Sequence, residues 1–183
     1  EQHWSFIRPT LPAAPEVENP DWASNEIDRF ILARLEAGGL KPSPTADART
    51  LIRRVYLDLI GLPPDPEEAN EWLIRLTDSN GRLNAAAYAE LVDELLASPH
   101  YGERWARHWL DVVKYADTCG YDKDKLRPNA WPYRDYVIRS FNNDKPYARF
   151  VQEQIAGDAL FPGEPDGILG LGFIAAGPWD FIG

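Results

Sequence analysis

The 183-residue sequence contains no methionine, one cysteine and three histidines. A single thiol, Cys119, closes no internal disulfide, builds no cysteine-based zinc site and does not complete the C-x-x-C-H motif that attaches haem covalently. No apolar run approaches the roughly 18 residues that cross a bilayer, and the start lacks the charged, apolar and small-residue regions of a secretory signal. The missing initiator methionine reads as a piece of a longer protein. Basic charge is short as well. With 19 Lys and Arg against 29 Asp and Glu, the net charge of −10 repels phosphate backbones and argues against a nucleic-acid partner. Period-two alternation is missing over any useful length, which excludes a sheet-based fold.

What is abundant is helical patterning. The arm over residues 1–22 is the exception, because Pro9, Pro12, Pro15 and Pro20 remove donors and restrain their predecessors. It is expected to run extended and to cover the core through Trp4, Phe6 and Trp22. From residue 23 to 162 the signals predict an all-α domain, an irregular bundle of about six to seven helices. Ser24 or Asn25 caps the first, which stops at Gly38-Gly39, and Thr45 or Asp47 opens the second, which stops at Gly61. Asp65-Pro66-Glu67-Glu68 starts a third through Leu76, a fourth is expected near 85–97, and Ser98-Pro99 starts a fifth through Asp117. A sixth is placed at about 129–142 and a seventh from Pro146 through Ala159. Residues 163–183 form a glycine-rich apolar tail that looks truncated.

The fifth helix carries an apolar stripe of Trp105, Trp109, Val112, Val113 and Ala116. Beside it runs a stripe of Tyr101, Arg104, His108, Asp111 and Tyr115. Arg134 falls among Trp131, Val137, Ile138 and Phe141 on the sixth, and Gln154 and Asp158 share a face with Phe150, Val151 and Ile155 on the seventh. One reading is a structural network of Arg104, His108, Asp111, Tyr115, Arg134, Gln154 and Asp158, with Arg134 paired to Asp111, Asp117 or Asp158. A second is catalytic: two carboxylates in different environments, or His108 oriented by Asp111, act as acid and base, with Asp111, Asp117, Arg134, Glu153 and Asp158 as candidates. A third makes His100 or His108 a ligand to a haem carried outside this segment. The loop acids Asp117, Asp122 and Asp124 are weak calcium candidates, since they lack EF-hand spacing and Lys123 and Lys125 interrupt them.

Four blocks carry a family resemblance: "NEIDRFILARLEAGGLKPSPTAD", "LIRRVYLDLIGLPPDPEEANEWL", "LLASPHYGERWARHWLDVVKYAD" and "RPNAWPYRDYVIRSFNNDKPYARFVQEQIAGD". In this order, over residues 3 to 162, they resemble the planctomycete cytochrome c-associated domain, a domain of unknown function. The resemblance implies a large exported protein of the periplasm or cell surface, with a cytochrome c-like module before this domain and a second planctomycete surface domain after it. It implies haem c in the full-length protein, although no attachment motif lies within this chain. The expected role is that of a helical scaffold supporting electron transfer, with Trp105, Trp109 and Trp131 shaping a haem-proximal pocket near His100 and His108. His3, in the arm, is the remoter nitrogen. Partners implied are the other domains of the same polypeptide and a redox partner or cell-surface polysaccharide. The alternatives are a polysaccharide-active enzyme, redox or hydrolytic, built on the carboxylate and arginine candidates, or a non-catalytic cell-surface binding or assembly module.

Overall fold

Each of the first five helices begins at a side-chain cap. Asn25, Asp47, Asp65, Asn84 and Ser98 accept the backbone N–H of Asp28, Thr50, Glu68, Ala87 and His100, donors that a first helical turn leaves open. The helices they start are α1 (Glu26–Ala37), α2 (Ala48–Leu59), α3 (Pro66–Leu76), α4 (Ala85–Leu96) and α5 (Pro99–Val112). Next come α6 (Trp131–Asn142), α7 (Tyr147–Leu160) and α8 (Pro165–Gly170), the last running into a 3-10 turn at Leu171–Ala175. The computed structural model describes residues 2–120 and 124–178. Among them are no strands, only the isolated bridges Thr77 to Leu83 and Thr118 to Leu126, so the fold is all-α.

The chain divides into two units, Glu1–Thr45 and Ala46–Gly183. In the first, short 3-10 turns at Trp4–Phe6 and Pro20–Trp22 interrupt an otherwise extended arm, and α1 follows. The Glu36 carboxylate accepts the backbone N–H groups of Glu18 and Asn19 at 3.0–3.2 Å, which ties the end of the arm to α1. Trp4 and Phe6 do not bury as expected; each is 77% exposed. Their rings pack locally on that of His3 instead, at centroid distances of 5.5 and 6.3 Å.

The second unit holds two apolar cores. Ile52, Tyr56, Trp72, Leu76, Leu91 and Leu95 close one among α2, α3 and α4. Ala106, Tyr133, Tyr136, Val137, Phe150 and Ala176 form the other among α5, α6, α7 and the tail. The described part of the tail, residues 163–178, is therefore structured, and glycines on both α7 and α8 are the reason. A Cβ on Gly157 of α7 would lie 2.1 Å from the Gly167 carbonyl oxygen of α8, and one on Gly170 would lie 2.8 Å from the Glu153 carbonyl oxygen. The two helices thus meet backbone to backbone.

The fifth helix is shorter than expected. It ends at Val112 because Lys114 takes a left-handed φ of 55°, while the Tyr115 N–H reaches back to the Leu110 carbonyl at 2.9 Å. That six-to-one bond is a Schellman closure built without glycine, so nothing local in "VVKYAD" announces it. Tyr115, Ala116 and Asp117 consequently leave the helical face on which periodicity placed them.

Candidate functional site

Helices α5 and α6 cross closely at Gly102, where an added Cβ would fall 2.5 Å from both the Asn142 side chain and the Ile138 carbonyl oxygen. Asn142 exploits the approach. Its Oδ1 accepts the Gly102 N–H at 2.7 Å, and its Nδ2 donates to the Pro99 carbonyl at 3.1 Å. This crossing sets the ring-bearing face of α5 opposite the corner between α6 and α7. A groove of about 660 Å³ opens there, with Tyr101, Trp105, His108 and Trp109 on one wall and Phe141, Asp144, Lys145 and Tyr147 on the other. Its size is that of a small-molecule site.

Behind the second wall lies a charge network. Glu153, 1% exposed, accepts from Lys145 Nζ at 2.5 Å, Tyr136 Oη at 2.8 Å and Arg149 Nε at 2.7 Å. Lys145 also donates to Asp166 at 2.8 Å, Arg139 donates to Asp166 at 2.6 Å, and Arg149 donates to Glu164 at 2.5 Å. Burial pushes the Glu153 carboxyl up, but the Lys145, Arg149 and Tyr136 hydrogen bonds outweigh it and hold the carboxyl below the usual glutamate value. Asp166 is likewise held low, its desolvation overcome by Lys145 and Arg139. Next to this network, Gln154 Oε1 accepts from Tyr133 Oη at 2.6 Å and Trp109 Nε1 at 2.8 Å. Burial raises the Tyr133 phenol to about 12. Glu153 and Asp166 are thereby held as paired carboxylates and Tyr133 as a neutral phenol.

The predicted structural network is relocated. Of its members only Gln154 is buried; His108, Asp111 and Asp158 are exposed, and Arg104 is partly covered with its Nε enclosed and unpartnered. Arg134 does not enter the core. It pairs with its neighbour Asp135 at 2.9 Å and faces Asp117 at 3.8 Å, where Asp117 also accepts from Tyr115 Oη at 2.6 Å. An arginine early in α6 reaches solvent past the helix end, so its place on the apolar face of a helical wheel does not bury it. Of the catalytic candidates, Arg134 and Asp117 face each other, Glu153 is sealed, and Asp111, Asp117 and Asp158 lie on exposed positions.

Of the haem-proximal candidates, His108, Trp105 and Trp109 share the groove, with Trp105 and His108 rings 5.3 Å apart edge to face. His100 is exposed and engaged by Glu103 at 2.9 Å, and Trp131 is 52% exposed, away from the groove. Of the calcium candidates, Asp122 lies outside the described residues. Asp124 accepts the Gly120 N–H at 2.9 Å and, with the Thr118 hydroxyl, is held below the usual aspartate value. Among the described residues no three His, Cys, Asp or Glu groups come together to hold a metal.

Sequence reasoning missed Lys145, Arg149 and Asp166. Only the four-residue spacing of Arg149 and Glu153 on one helix signals any of the network. It also missed Arg127, whose guanidinium donates to the carbonyls of Ala175, Ala176 and Gly177 and so pins the tail to the loop before α6. Arg127→Ala is expected to speed amide hydrogen exchange over residues 173–178 while leaving exchange in α2–α4 unchanged; uniform acceleration would show instead a global loss of stability.

Residues 26–182 match the model of a family described as PSCyt2, a protein of unknown function (DUF1549). No curated protein and no solved structure matches the chain.

Proposed function

Since the chain belongs to that family, we propose that it is a non-catalytic helical scaffold domain of an exported planctomycete-type c-haem protein, supporting electron transfer by a haem that another part of the polypeptide holds. The observation that carries this reading is the state of Glu153. The one deeply buried carboxylate among the catalytic candidates is saturated by two cations and a phenol, and so holds α6, α7 and α8 together rather than facing a substrate.

The groove does not suit a haem. Haem propionates would meet the Asp144 carboxylate and the negative end of α6 there. The nearest cation, Lys145, is already shared between Glu153 and Asp166. No residue of this chain is assigned as a haem ligand, and Cys119 is buried and alone. The localisation to periplasm or cell surface rests on the family resemblance; no helix among the described residues is long and apolar enough to cross a membrane.

Absorption spectra test the reading. Produced with c-haem maturation machinery, this chain is expected to be folded and colourless, and a longer polypeptide containing it is expected to show a Soret band with sharp reduced α and β bands. A colourless longer polypeptide, or haem retained by this chain alone, would contradict it.

A further inference from the structure

Asp144 places an acid where a helix end disfavours one. It follows the C-cap of α6 in a left-handed φ of 45°, closed by the Lys145 N–H donating to the Ser140 carbonyl at 2.9 Å. Aspartate, with asparagine and glycine, is among the residues that take this conformation most readily, so the backbone here is ordinary for its residue. The carboxylate, however, stands at the negative end of a helix, where cations are favoured and acids are not. Within the described residues no hydrogen bond or ion pair engages its oxygens, and it lines the aromatic groove. An acid disfavoured at this helix end, with no protein partner and at the edge of an aromatic groove, points to a ligand.

We propose that this groove binds an organic cation, an alkylated ammonium group seated on the rings of Tyr101, Trp105, Trp109 and Tyr147 and neutralised by Asp144. The ring faces carry the negative side of their quadrupoles toward such a group. Asp144 and the C-terminal end of α6 add negative potential from one side. The Lys145 ammonium does not oppose it, because Glu153 and Asp166 offset its charge at 2.5 and 2.8 Å. The same pair anchors the corner that holds Asp144 at the groove. Val112, 72% exposed at the groove, offers apolar surface to the hydrocarbon part of the ligand. An anion is excluded by Asp144, and a purely apolar occupant would strip water from the carboxylate without replacing it. A neutral sugar would stack on the rings but draw nothing from the charge and the helix end. This site stands independently of the scaffold reading, which it neither requires nor tests.

The experiment follows the tryptophan indole N–H signals of the full 183-residue chain by nuclear magnetic resonance. The probes are choline, benzyltrimethylammonium, the uncharged choline isostere 3,3-dimethylbutan-1-ol, and cellobiose. The two cations are expected to shift the Trp105 and Trp109 signals saturably, with the isostere at least roughly tenfold weaker. Asp144→Asn should weaken cation binding by a similar factor while raising the urea midpoint, since it removes a negative charge from the C-terminal end of α6; Tyr147→Ala, at an exposed rim residue, should weaken binding with no change in fold. No saturable response to either cation, an equal response to the isostere, a saturable response to cellobiose alone, or undiminished binding by folded Asp144→Asn would each overturn the proposal.

Discussion

Replacing Glu153 by alanine is expected to lower unfolding free energy by about 3 kcal/mol, the low end of the cost of breaking a buried ion pair from one side. The low end applies because neither cation is orphaned: Lys145 keeps Asp166, and Arg149 keeps Glu164. The Tyr136 hydroxyl loses its carboxylate acceptor in the interior. Urea denaturation at neutral pH measures the loss, and a change well under 1 kcal/mol would show that the network contributes little beyond packing. The same carboxylates govern acid stability. Glu153 and Asp166 are both held below their ordinary values, so their contribution is complete above the unfolded carboxyl values of about 4 and is lost as pH falls through the lower folded ones. Glu153→Gln should therefore be destabilised at neutral pH and show a shallower decline on acidification than the parent. Parallel urea midpoints from neutral pH downward distinguish this from a uniform offset.

Gly157→Ala is the second large effect. In an open helix the substitution gains about 1 kcal/mol of helix propensity, but here the new methyl would occupy space filled by the Gly167 carbonyl. Backbone does not give way as a flexible side chain does, so α8 must move off α7. A net loss of about 3 kcal/mol is expected, at the upper end of the usual cost of overpacking. Because Asp166 sits beside the displaced residue, its pairs with Lys145 and Arg139 should loosen with it. Thermal unfolding of Gly157→Ala beside Gly177→Ala, a position with open space around it, separates close approach from any general effect of removing glycine. Equal midpoints for the two variants would mean that α7 and α8 are not in backbone contact.

The parts of this protein that could be read along the chain are those governed by near neighbours. The caps at Asp65 and Ser98, each followed by proline, started helices where the structure has them, and of the paired candidates Ser24 or Asn25 and Thr45 or Asp47 the structure uses the second of each. Arg134 shows how far such reading reaches. Its need for a carboxylate was correct and Asp117 was among the partners expected, yet the adjacent Asp135 and access to solvent supply most of that need. The end of α5 was misplaced because a Schellman closure on lysine depends on what Tyr115 packs against after the turn, and its ring lies 6.3 Å from that of Tyr133.

By itself the sequence determined the class of fold, the approximate starts of the first seven helices and the acidic character of the chain, because each follows from local hydrogen bonding, apolar periodicity or composition. Tertiary structure alone decided which polar groups meet. Lys145, Glu153 and Asp166 come together because glycine contacts bring α8 onto α7, and the groove exists because Gly102 lets α5 approach α6. Those approaches are set by the backbone separation of paired helices. No spacing along the chain encodes that distance, since it depends on the atoms that each glycine leaves out.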